Sequence, residues 1–459
     1  MNTIKNLALF VKKMKQAQSP EVVINVFEYY YNHLLAEKSN FICEVDIKRV
    51  ETLPDAEQIS EKLQETGQQA LSKVVLLKLN GGLGTSMGLD KAKSLLTIKD
   101  DLTFLDIIAR QALRISTPLV LMNSFNTRDD SLALLKKYPD LWGNIPLDFL
   151  QHKIPKIAQE TLTPVSWPRN PALEWCPPGH GDIYPSLITS NLLELLLENG
   201  YEYAFVSNAD NLGASINKAI LGYFVHDNLP FMMEVTDRTE ADKKGGHLAQ
   251  RPDGQLLLRE SAQCSAEDTS SFQNISRHKY FNTNNLWLNL PALKAILDRK
   301  NNILGLPMIC NAKTVDPREA DSTPVYQLET AMGSMIELFE DAQAIRVPRT
   351  RFAPVKTTND LIAIRSDLYD FDQNYNVVLN PHRDTPLPTI SLDPTYYKRV
   401  NDFEARFPDG VPSLVACQQL TIKGDIKFGG QVILKGNVTL VNETARQRYI
   451  EAGTVIIGE

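Results

Sequence analysis

The chain has 459 residues and a formal net charge of −7, and 43% of its residues are hydrophobic. This length predicts two or three globular domains, and the acidic balance argues against a nucleic-acid binder, which usually carries a basic face. The five cysteines are widely spaced and never form a Cys-x-x-Cys pair, which argues against a disulfide framework and a zinc site. The apolar run Leu7–Val11 is too short for a membrane span and no cleavage site follows it, so we expect a cytoplasmic protein with no membrane partner.

Two helical stretches open the chain. Residues 19–37 begin with Ser19 and Pro20, a helix start signal, and carry apolar residues at helical spacing. A stretch rich in Glu and Gln predicts a second helix over residues 55–73. We therefore expect residues 1–73 to form a helical lead-in that packs against a sheet domain.

An apolar strand and a glycine-rich loop follow, over Val74–Ser94, with four glycines within eight residues. A buried parallel strand that feeds such a loop is typical of an anion-binding site. The phosphate-loop motif Gly-x-x-x-x-Gly-Lys-Ser/Thr does not match, because Met87 and Ala92 occupy both glycine positions. Lys91 and Lys93 lie just beyond the turn, so the loop favours a nucleoside triphosphate met by backbone N–H groups and a cation. A glycine-rich turn without a ligand is the alternative.

The same loop matches a dinucleotide-binding fingerprint only weakly. After Gly82 and Gly84 the motif Gly-x-Gly-x-x-Gly needs a third glycine one place before Gly88. Asp106 nevertheless lies at the distance along the chain expected for a ribose contact. A nicotinamide-dependent dehydrogenase is therefore kept as an alternative.

Strand and helix patterns alternate from the glycine loop onward. An amphipathic helix with a capping-box start at Thr103 precedes a strand at 118–123, and a helix at 131–138 precedes a strand at 147–151. This alternation predicts a parallel α/β sheet with right-handed crossovers, in which ligands sit outside the carboxyl ends of the strands. Polar clusters occupy those ends: Asn123–Asn126, Gln151–His152 and Ser207–Asn211.

A Gly-His-Gly segment lies in Pro177–Tyr184, directly before a leucine-rich helix. The start of a helix leaves backbone amides free, and the imidazole of His180 beside them can donate to a phosphate. A purely structural, hydrogen-bonded histidine is the alternative.

Three later stretches also carry polar groups in unusual settings. Phe281–Trp287 places three amide side chains before apolar residues, which suits recognition of sugar hydroxyls or the bracing of a turn. Residues 327–333 are expected to open a helix. Val347–Asp360 forms a basic loop in which Lys356 could face phosphate oxygens, although a surface charge is the ordinary reading of a single lysine.

The last part of the chain repeats with a period of six residues. Apolar side chains recur at Leu420, Ile426, Val432 and Val438, and glycines at Gly424, Gly430 and Gly436. This hexapeptide pattern predicts a parallel β-helix, which must bury one face against another domain or a partner chain. Four prolines from Pro381 to Pro394 mark the expected boundary.

Taken together, these runs closely resemble the eukaryotic-type UTP–glucose-1-phosphate uridylyltransferase family, also called UDP-glucose pyrophosphorylase. The matching runs occur in the family's order and span nearly all of the chain after residue 74. They are Lys78–Gly88, Pro118–Thr127, Pro177–Tyr184, Ser207–Ala214, Phe281–Trp287, Asn311–Thr314, Gln327–Gly333 and Val347–Leu361.

The resemblance implies an α/β fold with a GT-A-like nucleotidyltransferase core, a mixed and mainly parallel sheet, and a short C-terminal parallel β-helix. We expect the catalytic domain to span residues 74–385 and the β-helix residues 386–459, through which the chain could form a homo-oligomer. The implied reaction joins UTP and glucose 1-phosphate into UDP-glucose and pyrophosphate, reversibly and with Mg²⁺. Its partners would be these two small molecules.

The resemblance also implies a role for each matching residue. The expected catalytic residues are Lys93, Lys356 and Asp210, with Asp210 also at the metal. The expected nucleotide-binding residues are Leu79, Asn80, Gly81, Gly82, Lys93, Gln151, Gly179, Asn208, Asp210 and Lys356. The residues expected to bind the sugar phosphate are His180, Asn284, Glu329 and Thr330.

This chemistry needs no general base, because the attacking phosphate oxygen is already anionic. The difficulty is to bring two anions together, and Lys93, Lys356 and a metal near Asp210 would supply the positive charge.

The central loop departs from the family, which usually reads Met-Gly-Cys-Lys-Gly-Pro-Lys-Ser. Here Asp90 replaces the first lysine and Ala92 replaces the proline, whereas Lys93 is kept.

Two further functions stay open beside that of a dehydrogenase. One is a pyrophosphorylase for a different sugar 1-phosphate, such as that of N-acetylglucosamine or galactose. The second is a nucleotide-binding protein without catalysis, against which the retained Asp210, Lys93 and Lys356 argue.

Overall fold

A computed structural model describes residues 2–36 and 41–459. Its helices are α1 (Asn2–Gln16), α2 (Glu21–Leu35), α3 (Glu61–Ala70), α4 (Phe104–Arg114), α5 (Arg128–Leu135), α6 (Ile183–Thr189), α7 (Leu192–Glu198), α8 (Lys218–His226), α9 (Thr269–Phe272), α10 (Leu290–Arg299), α11 (Thr358–Arg365), α12 (Pro394–Tyr397) and α13 (Val400–Arg406). Of the helices in the described ranges, none is both long and apolar enough to cross a membrane.

The strands alternate with these helices through the middle of the chain. In chain order they are β1 (Val74–Asn80), β2 (Thr97–Lys99), β3 (Leu102–Thr103), β4 (Leu119–Asn123), β5 (Asp148–Leu150), β6 (Ile154–Pro155), β7 (Ile157–Ala158), β8 (Trp175–Cys176), β9 (Tyr203–Asn208), β10 (Phe231–Asp237), β11 (His247–Gln250), β12 (Leu256–Arg259), β13 (Tyr280–Asn289), β14 (Met308–Thr314), β15 (Pro324–Thr330), β16 (Gln343–Arg346), β17 (Tyr369–Phe371), β18 (Val377–Leu379), β19 (Thr389–Leu392), β20 (Cys417–Lys423), β21 (Ile426–Phe428), β22 (Ile433–Val441), β23 (Arg448–Ile450) and β24 (Val455–Ile457).

The central sheet is mixed, and the half around β1 is wholly parallel. Strands β9, β1, β4 and β5 run side by side in the same direction, as the alternating pattern predicted. The other half, built from β10 to β13, is joined to β9 by antiparallel pairing with β13. The first residues of β1, Val74 to Leu77, are buried, because helices cover both faces of a parallel sheet.

Helix α4 begins at a complete capping box. The Thr103 hydroxyl accepts from the Asp106 backbone N–H, and the Asp106 carboxylate accepts from the Thr103 backbone N–H at 3.0 Å. The Asp106 side chain is almost completely buried and also accepts from the Tyr138 hydroxyl. It therefore stabilises a helix start and cannot bind a ribose, so the contact suggested by the dinucleotide fingerprint is wrong.

The N-terminal helices cover two separate parts of the molecule. Helices α1 and α2 stack through Phe10, Phe27 and Tyr31, and this cluster continues onto the small sheet that contains β14 and β15. Helix α3 packs instead on α8, beside the central sheet. Within the expected lead-in over 1–73, residue 1 and residues 37–40 lie outside the described residues. The helix expected over 19–37 was predicted to end at residue 37, which is one of them.

The C-terminal segment stacks its strands in parallel. One sheet has the order β19-β20-β22-β24, and β21 pairs with β23. Leu420 lies opposite Val438, three six-residue steps further along the chain. The four apolar side chains of the repeat are all buried, and they belong to the same continuous core as helices α4 and α8: Leu420, Ile426, Val432 and Val438.

Candidate active site

The carboxyl ends of the parallel strands bring the expected polar clusters together. The Asn80 side chain at the end of β1 donates to Asn123 Oδ1 at the end of β4, at 2.7 Å. The Gln151 backbone N–H donates to the Asn123 carbonyl at 2.8 Å, and the Ala209 N–H donates to the Leu79 carbonyl at 3.0 Å. One edge of the sheet thus carries the segments after β1, β4, β5 and β9.

The loop after β1 presents its backbone to open space. A side chain added at Gly82 would meet no atom within 4 Å, and the Gly82 carbonyl accepts from the Lys93 N–H at 3.0 Å. The Gly81 carbonyl accepts from the Ser124 hydroxyl at 3.0 Å. The Asn80 side chain is buried, and its Nδ2 donates to Asn123 in β4 and to Ser131 in α5, so it braces the loop.

Lys93 and Asp210 form an ion pair across this edge. Lys93 Nζ lies 2.6 Å from Asp210 Oδ2, and the two side chains are 14% and 20% exposed. They come from the loop after β1 and the turn after β9, which are adjacent because β1 and β9 pair directly. Asp210 Oδ1 is buried and has no hydrogen-bond partner among the described residues.

The basic loop that carries Lys356 lies against the same turn. The Val355 N–H donates to the Asp210 carbonyl at 3.1 Å, which fixes the backbone next to Lys356. The Lys356 side chain is exposed, and its Nζ makes no hydrogen bond or ion pair with the residues that the structure describes. The fold therefore gathers Lys93, Asp210 and Lys356 at one edge of the sheet, from three distant parts of the chain.

A buried polar network holds this turn and this loop from beneath. The Arg351 guanidinium donates to both oxygens of Glu234, at 2.9 and 2.7 Å, and Trp287 Nε1 donates to the same carboxylate at 3.0 Å. Asn285 Nδ2 donates to Glu234 Oε2 at 3.0 Å, and Asn211 Nδ2 donates to the Arg351 carbonyl at 3.1 Å. The carboxylate is therefore paired and satisfied, which a buried charge requires.

On the other side of the edge, the Gly-His-Gly segment packs directly on the end of β15. A methyl group at Gly179, where φ is +80°, would lie 2.5 Å from the Thr330 carbonyl oxygen. A methyl group at Gly181 would lie 2.3 Å from Thr330 Oγ1. Both positions therefore require glycine, and the Gly179 carbonyl accepts from Gln151 Nε2 at 2.9 Å.

Backbone contacts fix the orientation of the His180 imidazole. Its Nδ1 accepts a hydrogen bond from the Met332 backbone N–H at 2.9 Å. Burial lowers the pKa of His180 to about 4, so the ring is neutral near pH 7. The proton must then reside on Nε2, which makes His180 a neutral hydrogen-bond donor.

Glu329 and Thr330 lie at the end of strand β15, so the helix expected over 327–333 is wrong. Their segment pairs with β14 in register Glu329–Ile309 and Thr330–Met308, and helical turns begin only at Met332. Burial raises the pKa of Glu329, opposed by a hydrogen bond from Asn311. Both residues contact the Gly179 turn from behind, and through that contact they are joined to His180.

Asn284 lies on a β-bulge in β13. The pairing with β10 shifts between Glu234 and Val235, and Asn284 adopts φ +59°, which is rare for a residue other than glycine. Its N–H donates to Asn282 Oδ1 at 2.9 Å, so the bulge is braced locally. Asn208 is half-buried at the end of β9, beside Leu79 of β1.

The residues that could hold a metal are few. Within the described ranges, no three His, Cys, Asp or Glu side chains come together as a metal-binding cluster. Asp210 nevertheless offers a buried carboxylate oxygen without a donor. Mg²⁺ is commonly held by one or two carboxylates plus the phosphates of its substrate, so a single carboxylate beside a phosphate site fits that ion.

Some of these residues carried a weak signal in the sequence, and others carried none. A lysine inside the apolar run of β1, Lys78, could have been flagged as an unusual buried charge. Glu234 and Arg351 are far apart in sequence, and no local pattern connects them.

An α/β fold that gathers two lysines and an aspartate at the carboxyl edge of a parallel sheet defines a class of proteins that handle phosphorylated ligands. The family model for UTP–glucose-1-phosphate uridylyltransferase matches residues 24–435. The chain therefore belongs to the UTP–glucose-1-phosphate uridylyltransferase family, which confirms the resemblance read from its motifs.

Individual relatives agree with this family. The UTP–glucose-1-phosphate uridylyltransferase of Hordeum vulgare is 43% identical over 395 residues, which cover 84% of this chain and 81% of the relative. The probable UTP–glucose-1-phosphate uridylyltransferase of Schizosaccharomyces pombe is 38% identical over 468 residues, covering 99% and 90%. A solved structure of a Leishmania major UDP-glucose pyrophosphorylase mutant in complex with UDP-Glc superposes with a TM-score of 0.92 at 42% identity, covering 99% of this chain and 98% of that one.

Proposed function

We propose that this chain is the enzyme that forms UDP-glucose and pyrophosphate from UTP and glucose 1-phosphate, in a reversible reaction. Family membership supports the overall activity. The observation that carries the chemistry is the contact between Lys93 and Asp210, with Lys356 on the loop bonded to the same turn. Lys93 and Lys356 thereby place two ammonium groups where the two anionic substrates must meet.

In the reaction, a phosphate oxygen of glucose 1-phosphate attacks the α-phosphorus of UTP. A new P–O bond forms to the sugar phosphate while the bond to the β-phosphate oxygen breaks, and pyrophosphate leaves in line with the attack. The nucleophile is already an anion, so no side chain needs to remove a proton. The residues therefore act by orienting the two substrates and by offsetting their repulsion.

Lys93 and Lys356 are the proposed cationic residues. Lys93, held by its backbone bond to Gly82, would meet the triphosphate on the nucleotide side. Lys356 has a free ammonium group and would face the reacting phosphates. Removing one preorganised charge of this kind commonly costs about 3 kcal/mol of transition-state stabilisation.

We further propose Mg²⁺ as the metal, with Asp210 as its protein ligand. The unpartnered buried oxygen of Asp210 supports this assignment. When bound, Mg²⁺ would neutralise phosphate charge and help to align the triphosphate. Asp210 would then have to give up its contact with Lys93, which would free the ammonium for the nucleotide.

The remaining residues divide between the two substrates. We propose that the loop from Leu79 to Gly82 holds the nucleotide through its backbone, with Asn208 beside it and with Gln151 and Gly179 at the uracil. On the sugar side, the neutral His180 would donate from Nε2 to the phosphate of glucose 1-phosphate. Asn284, Glu329 and Thr330 are the proposed hexose contacts, and the strain at Asn284 supports a functional role there.

The finer description of the fold is also a proposal. We propose a GT-A-like catalytic core over residues 74–385 and a C-terminal β-helix over 386–459, which the parallel stacking of β19 to β24 supports.

Exposed apolar side chains on the last strands of the β-helix, such as Val455 and Ile457, support self-association through this end of the molecule. Light scattering would test this self-association. The free thiols of all five cysteines suit a cytoplasmic setting.

The decisive experiment measures pyrophosphate release from UTP with purified protein and a panel of sugar 1-phosphates, with and without Mg²⁺. We expect release with glucose 1-phosphate, and little with the galactose or N-acetylglucosamine compounds. A higher kcat/KM for another sugar would instead identify a different UDP-sugar pyrophosphorylase. Release that is unchanged by chelation of divalent ions would contradict the proposed role of Mg²⁺.

A further inference from the structure

Lys78 is a fully buried lysine at the centre of the sheet. It lies in β1, its side chain has no solvent exposure, and its neighbours Val74 to Leu77 are all apolar. Burial lowers the pKa of Lys78 to about 7, repulsion from Arg351 adds to this, and Glu234 and Asp210 oppose it. A charged group in such a place is costly and is rare without a specific task.

The partners of Lys78 lie at the two ends of one short segment. Its Nζ donates to Ser207 Oγ at 2.7 Å and to the Ala214 carbonyl at 2.7 Å. Ser207 directly precedes Asn208, and Ala214 follows the turn that contains Asp210. The Lys78 side chain thus links the two ends of the segment 207–214 from inside the protein.

Other contacts also hold this segment: the Ala209 N–H donates to the Leu79 carbonyl and the Val355 N–H donates to the Asp210 carbonyl. Asn211 is bonded to Asn285 and to the Arg351 carbonyl, which fixes the middle of the turn against the basic loop. Among the described residues, Lys78 is the side chain that bonds to both ends of the turn, and it lies in β1, the strand that leads into the Gly82 and Lys93 loop. Lys78 therefore links the turn that carries Asp210 to the strand that leads to Lys93.

We propose that Lys78 is a positioning residue for the reaction, which holds the Ser207–Ala214 turn so that Asp210 faces both the metal and the triphosphate. It touches neither substrate and acts only through the turn. The inference rests on the proposed function, because it assigns Asp210 to the metal. It also extends that function, since Lys78 is a lysine like Lys93 and Lys356 but has a different task.

The test replaces Lys78 with methionine, which keeps the length of the side chain and suits a buried site. We expect Lys78→Met to fold and to lose roughly 10²-fold in kcat, because small displacements of catalytic groups have effects of that size. The affinity for Mn²⁺, measured by electron paramagnetic resonance, should weaken together with kcat. The KM for glucose 1-phosphate should stay near that of the wild type, because the His180 side of the site does not depend on the turn.

Lys156 offers a matched control. Lys156 is also buried, and its Nζ donates to the Val315 backbone carbonyl at 2.9 Å. It lies away from the turn that contains Asp210. Lys156→Met should keep both kcat and Mn²⁺ affinity. If Lys78→Met keeps both as well, or if Lys156→Met loses as much, then Lys78 only satisfies polar groups in the core and the inference is overturned.

A second variant covers the case in which Lys78→Met does not fold. Ser207→Ala removes one of the two acceptors and leaves Lys78 bonded to Ala214, so we expect a loss of kcat of about 5-fold. Wild-type kcat and Mn²⁺ affinity in Ser207→Ala would then overturn the inference. Failure of the wild type to release pyrophosphate would contradict the proposed function, whereas the Mn²⁺ comparison would still test the placement of Asp210.

Discussion

The two sides of the substrate edge are built in different ways. On the nucleotide side, the loop after β1 faces open space at Gly82 and is tied across the edge by one ion pair, between Lys93 and Asp210. On the sugar side, Gly179 and Gly181 flank His180 and lie against Thr330 with no room for a methyl group, and Gly179 also borders the proposed uracil site.

This difference implies different behaviour on binding. The sugar side is already in place before a ligand arrives, so its contacts need little reorganisation. The nucleotide side must exchange an internal ion pair for contacts with phosphate and metal. We therefore expect changes on the nucleotide side to affect mainly turnover and metal binding, and changes on the sugar side to affect mainly stability and sugar affinity.

The largest effect should come from Lys93→Met. Losing this cation should lower turnover by about 10²–10³-fold while the fold is kept, because the lysine is a preorganised charge at the reacting phosphates. Steady-state kinetics measure it, and Lys62→Met on the exposed face of α3 is the control. Near-normal turnover in Lys93→Met would remove Lys93 from the site.

The same variant also tests the exchange of partners at Asp210. Without the ammonium at 2.6 Å, Asp210 is free to take a divalent cation, so Mn²⁺ should bind more tightly in the absence of nucleotide. Titration followed by electron paramagnetic resonance measures the change. Weaker Mn²⁺ binding in Lys93→Met would show that the ion pair does not compete with the metal.

On the sugar side, Gly179→Ala should destabilise the protein by about 2 kcal/mol. It should also raise the KM for glucose 1-phosphate, through the adjacent His180, and the KM for UTP, through the uracil contact proposed for Gly179. The added methyl group would lie 2.5 Å from the Thr330 carbonyl oxygen, at φ +80°. Gly200→Ala is a matched control, because Gly200 has φ +82° but no atom within 4 Å of the added group. Equal effects of the two changes on stability and KM would mean that the close packing on β15 is unimportant.

Acidification should lower the stability of the protein through three histidines whose pKa values are lowered in the folded state. Burial lowers the pKa values of His180, His247 and His278, so the unfolded chain binds more protons than the folded chain below about pH 6.5. The free energy of unfolding should therefore fall as the pH drops from about 6.5 towards 4, by at most about 1.4 kcal/mol per pH unit for each histidine. Urea unfolding at several pH values measures this slope.

His247→Phe should reduce the slope, because His247 is fully buried and stacks on His278 with ring centroids 4.0 Å apart. His226→Phe changes a side chain that is 63% exposed and should leave the slope unchanged. An equal slope in His247→Phe and in the wild type would contradict a role for this pair.

The smallest expected effect is a gain in stability, from Ala92→Pro in the nucleotide-side loop. Ala92 has φ −52° and ψ 129°, which proline can adopt, and the family pattern has proline at this position. Restricting the unfolded chain should stabilise the protein by about 0.5 kcal/mol, and Ala92→Gly should have the opposite sign. Thermal unfolding measures both, and a clear loss of stability in Ala92→Pro would show that the loop cannot accept the ring.

Those parts of the fold that depend on local patterns could be predicted from the sequence. The strand at Val74, the capping box at Thr103 and the six-residue repeat after Leu420 each rest on neighbouring residues. The polar clusters at the strand ends were also predictable, because parallel strands place their carboxyl ends at one edge.

Other features depend on contacts between distant segments, and the sequence could not reveal them. Gln-Leu-Glu-Thr is a good helix-forming sequence, yet pairing with β14 makes it the end of β15, since tertiary contacts override propensity. Likewise Glu234 and Arg351 are 117 residues apart in sequence and are brought together only by the fold. The sequence placed Lys93 and Asp210 at the same edge of the sheet, but it could not predict that the two side chains form an ion pair.

The most direct measurement is a crystal structure of this protein with UTP and Mg²⁺. Lys93 Nζ should then lie within hydrogen-bond distance of a triphosphate oxygen, and Asp210 should coordinate the metal with Lys356 beside the α-phosphate. A triphosphate bound elsewhere, with the contact between Lys93 and Asp210 intact, would contradict the account.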